Sequence, residues 1–165
     1  VTAPQETKIH IRPATADDNA FVLSLVPRLV AFELPKGRHK CACTAAIRAD
    51  VARGLRNPSA DDCFFIAEGP RGARTGFLRL QVQRDFFSGV RACHISDLVV
   101  ANGHDGRGIG RALLDHAQKW AKANRCKLLT LAVFPGNARA RALYERAGFT
   151  VELLRMAKPL QGTRR

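Results

Sequence analysis

No stretch of the chain approaches the roughly 20 consecutive apolar residues that a membrane-spanning helix needs, so no membrane partner is expected. Residues Val1–Lys8 are polar and lack the apolar centre of a secretory leader, which points to the cytoplasm. Cysteine is scarce and unpatterned. Cys41, Cys43, Cys63, Cys93 and Cys126 are odd in number and irregularly spaced, which excludes a disulfide framework. His39, Cys41 and Cys43 resemble half of a metal site, but no second Cys/His pair follows, so no metal is expected. Acidic residues are few, 14 against 27 Lys and Arg, for a formal net charge of +13. That excess favours anionic partners. The basic residues are scattered from Arg12 to Arg155 and no DNA- or RNA-binding module is present, so nucleic acid is not the expected partner. Internal repeats are absent too. The 165 residues read as one domain, with tails at 1–8 and 160–165, long enough for a core of its own.

Alternation and helical spacing supply the elements. Lys8 to Arg12 reads as a first strand ending at Pro13. Thr15 and Asp18 open a helix carrying Phe21, Val22, Leu25 and Leu29, which Pro27 should kink or shorten. Residues 31–43 read as a loop and Thr44 to Arg56 as a second helix. Strands follow at Cys63–Glu68, Gly76–Gln83 and Ala92–Val100. Gly108–Asn124 is the clearest helix, with Ile109, Leu113, Ala117, Trp120 and Ala121 on one face. A strand at Lys127–Phe134, a helix at Asn137–Ala147 stopped by Gly148, and a last strand at Phe149–Met156 complete the chain. Hairpin-linked strands followed by alternating strand and helix predict an α/β fold with a mixed sheet and helices on both faces.

The segment Asp105-Gly106-Arg107-Gly108-Ile109-Gly110-Arg111 joins a strand to the best helix. A helix N-terminus offers unpaired N–H groups and the positive end of its dipole, and glycines let backbone approach an anion closely. Such a turn is suited to phosphate. It is not a P-loop, because no Gly-Lys-Ser/Thr is present. It is not a dinucleotide fingerprint either. Counting from Gly108, the third glycine position is Leu113, and Lys127–Phe134 lacks the acidic residue that would meet a ribose.

Ile95-Ser96-Asp97-Leu98-Val99-Val100 followed by Gly106-Arg107-Gly108-Ile109-Gly110-Arg111 resembles the acetyl-CoA motif of the GNAT superfamily. Asn137, Ala140, Leu143, Tyr144, Gly148 and Phe149 are spaced as in its later motif, and Ile11-Arg12-Pro13-Ala14-Thr15 is similar to its first strand. The resemblance covers residues 9 to about 158. It implies a mostly antiparallel central sheet, acetyl-CoA as co-substrate, and pyrophosphate held by the backbone of residues 105–111. It also implies that Leu98, Val99 and Val100 meet the pantetheine arm and polarise the thioester carbonyl through a backbone N–H. Asn137 becomes a side-chain contact to the cofactor, and Tyr144, the only tyrosine, the acid that protonates the leaving thiolate. The family carries Gln or Arg where this chain has Asp105, a departure expected to weaken cofactor binding without abolishing it.

An amine must lose its proton before it attacks. Asp97, in an apolar strand near the expected reaction centre, is the first choice of base, since burial raises a carboxyl pKa. The other reading of Asp97 is a carboxylate paired to an arginine; His94 or a water chain are the alternative bases. The resemblance places the acceptor against residues 31–43, with Phe32, Glu33 and His39, and against the loop holding Phe86 and Phe87. The expected reaction is acetyl transfer from acetyl-CoA to a primary amine of a small molecule or amino acid. A protein N-terminus or lysine is the alternative acceptor, and a non-catalytic acetyl-CoA-binding regulatory module the alternative class. A homodimer is left open.

Overall fold

The unbroken apolar run Phe64-Phe65-Ile66-Ala67 marks a strand covered on both sides. In the computed structural model, which describes residues 9–160, Phe65 and Ala67 join one core while Phe64 and Ile66 join another. The elements are β1 (His10–Pro13), α1 (Asn19–Leu25), α2 (Lys40–Arg56), β2 (Asp62–Glu68), β3 (Arg74–Arg84), β4 (Arg91–Val100), α3 (Ile109–Ala123), β5 (Leu128–Leu131) and α4 (Ala138–Arg146). The five strands lie in sequence order. β1 to β4 are antiparallel neighbours, and β5 runs parallel to β4. α3 and α4 cover one face through Ile109, Leu113, Leu114, Ala117 and Leu143. α1 and α2 cover the other through Val22, Leu25 and Val51. This is the expected mixed, mostly antiparallel sheet with helices on both faces.

The entry into α1 is fixed by charge. Asp18 is buried and accepts from Arg12 at 2.7 Å and from the backbone N–H of Thr15 at 2.8 Å. The Arg12 guanidinium holds the Asp18 carboxyl well below the usual carboxylate range. As expected at Pro27, α1 stops at Leu25 and tightens into a 3-10 turn over Val26–Val30. Gly148 ends α4 with φ +90°, the left-handed stop its position predicts.

Three expectations are corrected. α2 begins at Lys40 rather than Thr44, so Cys41 and Cys43 are helical and the loop is shorter. β5 ends at Leu131 instead of Phe134, because its pairing with β4 ends at Ile95↔Leu131. Phe149–Met156 forms no strand: residues 150–160 carry no regular structure, and Val151, Leu153, Leu154 and Met156 are exposed. Alternation encodes which side chains suit a sheet, but a strand also needs a ladder partner, and this segment pairs with none among the described residues. The start expected at Lys8 lies outside the described residues. None of the described helices is long and apolar enough to cross a membrane.

Candidate active site

β4 has two neighbours only as far as Ile95. Ala92–Ile95 lie beside Leu128–Leu131, whereas Asp97–Val100 pair with β3 alone. The strands therefore splay, and outward-pointing backbone groups of Leu98, Val99 and Val100 have no β5 neighbour to bond. At the point of divergence β4 carries a bulge. Arg79 faces Asp97 and Leu80 faces Ile95, which leaves Ser96 as the extra residue. Cys93 and Ile95 point into the α3 core, but Val99 and Ala101 point into the α1/α2 core. Ser96 and Asp97 both lie on the latter side. The Ser96 hydroxyl donates to Gln81 Oε1 at 2.7 Å, and Asp97 turns toward Arg79.

Arg79 is almost fully buried beneath Asp97. Its Nε and Nη2 each donate to Asp62 at 2.8 Å, Nη1 bonds Asp50, and the guanidinium lies over the Phe64 ring at 5.1 Å. Nη1 stands 3.7 Å from Asp97 Oδ2, so Asp97 receives only what the two better-placed carboxylates leave. Asp97 is 8% exposed, and burial pushes its pKa up to about 6 against the pull of Arg79. Of the two sequence readings of Asp97, the contact with an arginine is present, although its closest approach is the longest that Arg79 makes to a carboxylate. Arg79 itself escapes the sequence reading. The available signal was an arginine between Leu78 and Leu80 in a strand covered on both faces.

Tyr144 approaches the splay from α4. Its ring packs edge-on against Phe149 at 6.0 Å, and its hydroxyl makes no hydrogen bond among the described residues. Burial, and secondarily the charge of Asp97, raises the Tyr144 pKa, which places the two groups within electrostatic reach of each other. Asn137 caps α4, its Oδ1 accepting from Ala140 N–H at 3.3 Å, so its NH2 is the half left for a ligand. His94 sits within the paired part of β4, 2.9 Å from Thr130 Oγ1, and burial lowers its pKa. It is farther back from the opening than Asp97.

β4 runs into the glycine turn. Gly106 and Gly108 have φ of +76° and +78°, and Gly108 is the left-handed N-cap residue of α3. That N-terminus has no side-chain cap and no acidic residue in its first turn, so the first N–H groups of α3 remain open. Arg111 is held by Asp115 at 3.0 Å, while Arg107 has no ion-pair partner among the described residues. Gly110 differs from its neighbours: a Cβ there would stand 3.0 Å from Leu143 Cδ2, so its smallness serves the packing of α4 on α3. Asp105 does not stand free beside the turn. It pairs with Arg139 at 2.9 Å and Arg28 at 3.1 Å.

Residues 31–39 form one wall of the opening. Phe32 meets Phe134 at 5.9 Å, Arg38 lies over the same ring at 5.3 Å, and the Glu33 carbonyl packs against Gly136. Phe86 and Phe87 are not brought to this place. They sit in the turn before β4, and Arg91 to Asp97 alone spans about 20 Å of strand. They are exposed at the opposite end of the sheet, at 92% and 74%.

A splayed parallel strand pair ending in an anion-ready turn defines the class. The profile of the acetyltransferase (GNAT) family matches residues 34–149, and the chain belongs to that family. It is 35% identical over 101 residues to the streptothricin acetyltransferase of Streptomyces lavendulae, covering 61% of this chain and 51% of that protein. With the mycothiol acetyltransferase of Beutenbergia cavernae it shares 51% identity over 53 residues, 32% of this chain and 18% of the other. The chain thus spans about half, or less, of the length of these curated relatives. Its fold matches an aminoglycoside N-acetyltransferase, AAC(6')-Iy, solved with CoA, at a TM-score of 0.69 and 19% identity, covering 98% of this chain and 99% of that one. A ribosomal-protein-alanine N-acetyltransferase from Brucella melitensis biovar Abortus 2308 gives the same TM-score at 18% identity, covering 93% and 100%.

Proposed function

We propose that this protein transfers the acetyl group of acetyl-CoA directly to a primary amine of a small molecule or amino acid, acting in the cytoplasm as a single domain. The observation that carries the reading is the splay between β4 and β5, with Asp97 on one side of it, Tyr144 on the other and the glycine turn at its end. In this reading the acyl-pantetheine arm lies along the unpaired edge of Leu98–Val100, and the pyrophosphate meets the N–H groups of residues 106–111. Asp105, Arg107 and Arg111 flank it, and Asn137 adds its side-chain NH2.

Asp97 takes a proton from the acceptor ammonium, directly or through water, leaving the amine lone pair free. The amine nitrogen attacks the thioester carbon, and the developing oxyanion is met by a backbone N–H of the β4 edge. The C–S bond breaks, Tyr144 gives its proton to the departing sulfur, and the nitrogen sheds its second proton, which returns to the Tyr144 phenolate through water. A phenol near ~10 and a thiol near ~8.5 set the direction of that step within reach. His94, tied to Thr130, ranks behind Asp97 as base.

The relatives include acetyltransferases named for streptothricin, mycothiol and aminoglycosides, which supports a small amine acceptor. N-alpha-acetyltransferase 40 of Saccharomyces cerevisiae, 39% identical over 67 residues, keeps a protein N-terminus as the second reading. Saturating acetyl-CoA is expected to raise the melting temperature, since ligand at ~100 times its Kd adds about 2.7 kcal/mol by mass action. NAD and ATP should do much less. A panel of amines, followed by CoA release and product mass, then identifies the acceptor. No thermal shift with acetyl-CoA defeats the reading. A shift without turnover on any amine or peptide would mark a non-catalytic acetyl-CoA-binding module.

A further inference from the structure

The family pattern puts a cation-bearing or amide side chain where this protein has Asp105, an acid at the mouth of an anion site. The structure resolves the conflict with two arginines from outside the turn. Arg28 comes from the 3-10 turn on the α1/α2 side of the sheet, and its Nη2 reaches both Asp105 oxygens at 3.1 and 3.2 Å while Nη1 bonds Asn102. Arg139 comes from the first turn of α4 on the other side, with Nη2 2.9 Å from Asp105 Oδ1. One carboxylate therefore anchors two guanidinium groups, which leaves one positive charge uncompensated. Most of the N–H donors of the two arginines are not directed at Asp105.

The position of this cluster gives it meaning. Arg139 lies one helical turn before Leu143, and Leu143 packs on Gly110. Arg139 thus stands over the same end of α3 whose N–H groups are uncapped. It is 68% exposed, and Arg28 is 26% exposed, so neither is sealed away from a ligand. An ordinary surface ion pair has no need of a second arginine on the same carboxylate, and it contributes little stability.

Resting on the acetyl-CoA reading above, we propose that Arg28 and Arg139, held across the glycine turn by Asp105, are binding residues for the cofactor's phosphates. They supply from two neighbouring elements the charge that position 105 itself lacks. Asp105 is then a positioning residue: it directs guanidinium groups to the turn and does not face the phosphates alone. Guanidinium groups suit this task because their planar N–H forks match phosphate oxygens.

The test uses two ligands, acetyl-CoA and S-acetylpantetheine, which carries the same thioester without phosphate. Arg139→Gln and Arg28→Gln are each expected to raise the Kd for acetyl-CoA about three- to tenfold at low salt, and to make that Kd less sensitive to ionic strength. Both variants should handle S-acetylpantetheine as the parent does, a split that a loss of folding would not give. Arg139→Lys should recover part of the acetyl-CoA affinity. Unchanged acetyl-CoA binding in both folded Gln variants overturns the assignment, as does an equal loss with both ligands. Failure of the parent protein to bind acetyl-CoA removes the cofactor reading and this assignment together.

Discussion

Replacing Asp97 by Asn separates chemistry from stability, because the two should change in opposite directions. The Asp97 carboxyl has a pKa of about 6 in the fold against an ordinary 3.8, with burial as the main cause. A group whose folded pKa is raised favours folding when protonated. Its contribution is fully present below the unfolded value and lost as pH rises through the folded one. The gap of about 2 units corresponds to about 3 kcal/mol at 1.36 kcal/mol per unit, the cost of keeping the buried carboxylate ionised above pH ~7. Asn has nearly the same shape and no charge to bury. Asp97→Asn is therefore expected to be more stable than the parent by up to about 3 kcal/mol at pH 8, with the difference closing toward pH 4. Urea denaturation of both proteins at several pH values measures it. Turnover should fall, and the parent's kcat/KM should rise with pH through a limb near 6 if Asp97 is the base. A variant that is less stable at every pH would show that Asp97 serves Arg79 as a structural partner, and the base assignment would lose its physical ground.

Tyr144→Phe keeps the ring against Phe149 and removes only the proton, so kcat should fall by about 10²- to 10⁴-fold with the acetyl-CoA Kd unchanged; full turnover where chemistry limits the rate would leave acid catalysis to water. Gly110→Val drives a branched side chain at Leu143, so a loss of about 1–3 kcal/mol in a melting experiment should accompany any loss of cofactor binding. A stable variant that merely fails to bind would place Gly110 at the ligand instead. Gly54→Ala, which in a free helix gains about 1 kcal/mol, should here destabilise. Its Cβ would lie 2.7 Å from Arg79 Nη2, and three carboxylates hold that guanidinium in place. A raised melting temperature would mean that Arg79 is free to move.

What could be read from the residues alone follows how local each signal is. The α3 stripe and the glycine turn are encoded within a few positions, and the structure keeps both as expected. α2 was harder to bound, because only Val51 and Gly54 along it are buried and its first turn resembles a loop. Asp97 could be named from its apolar strand, where burial raises its pKa, but the carboxylates that compete with it for Arg79, Asp50 and Asp62, lie 47 and 35 positions away. Arg28 and Asp105 are as distant, at 77 positions, so the cluster at the turn is invisible to any pattern. Phe86 and Phe87 failed for a related reason: exposure and aromaticity mark a surface without saying at which end of the sheet it lies.

The extra residue at Ser96 makes β4 a strand read in two frames. Ahead of it, odd-numbered side chains belong to the α3 core; after it, odd-numbered side chains belong to the α1/α2 core. Chain length therefore matters selectively along it. Deleting Ser96 itself would set Asp97 beside Ile95 in plain alternation, so Asp97 through Ala101 keep their sides and the bulge and the Ser96–Gln81 bond are what is lost. Deleting Leu98 instead would carry Val99, Val100 and Ala101 across the sheet, with Val99 turned into the α3 core and Val100 pressed into the space of Val99. This strand should therefore tolerate loss of its extra residue far better than loss of a residue beyond it.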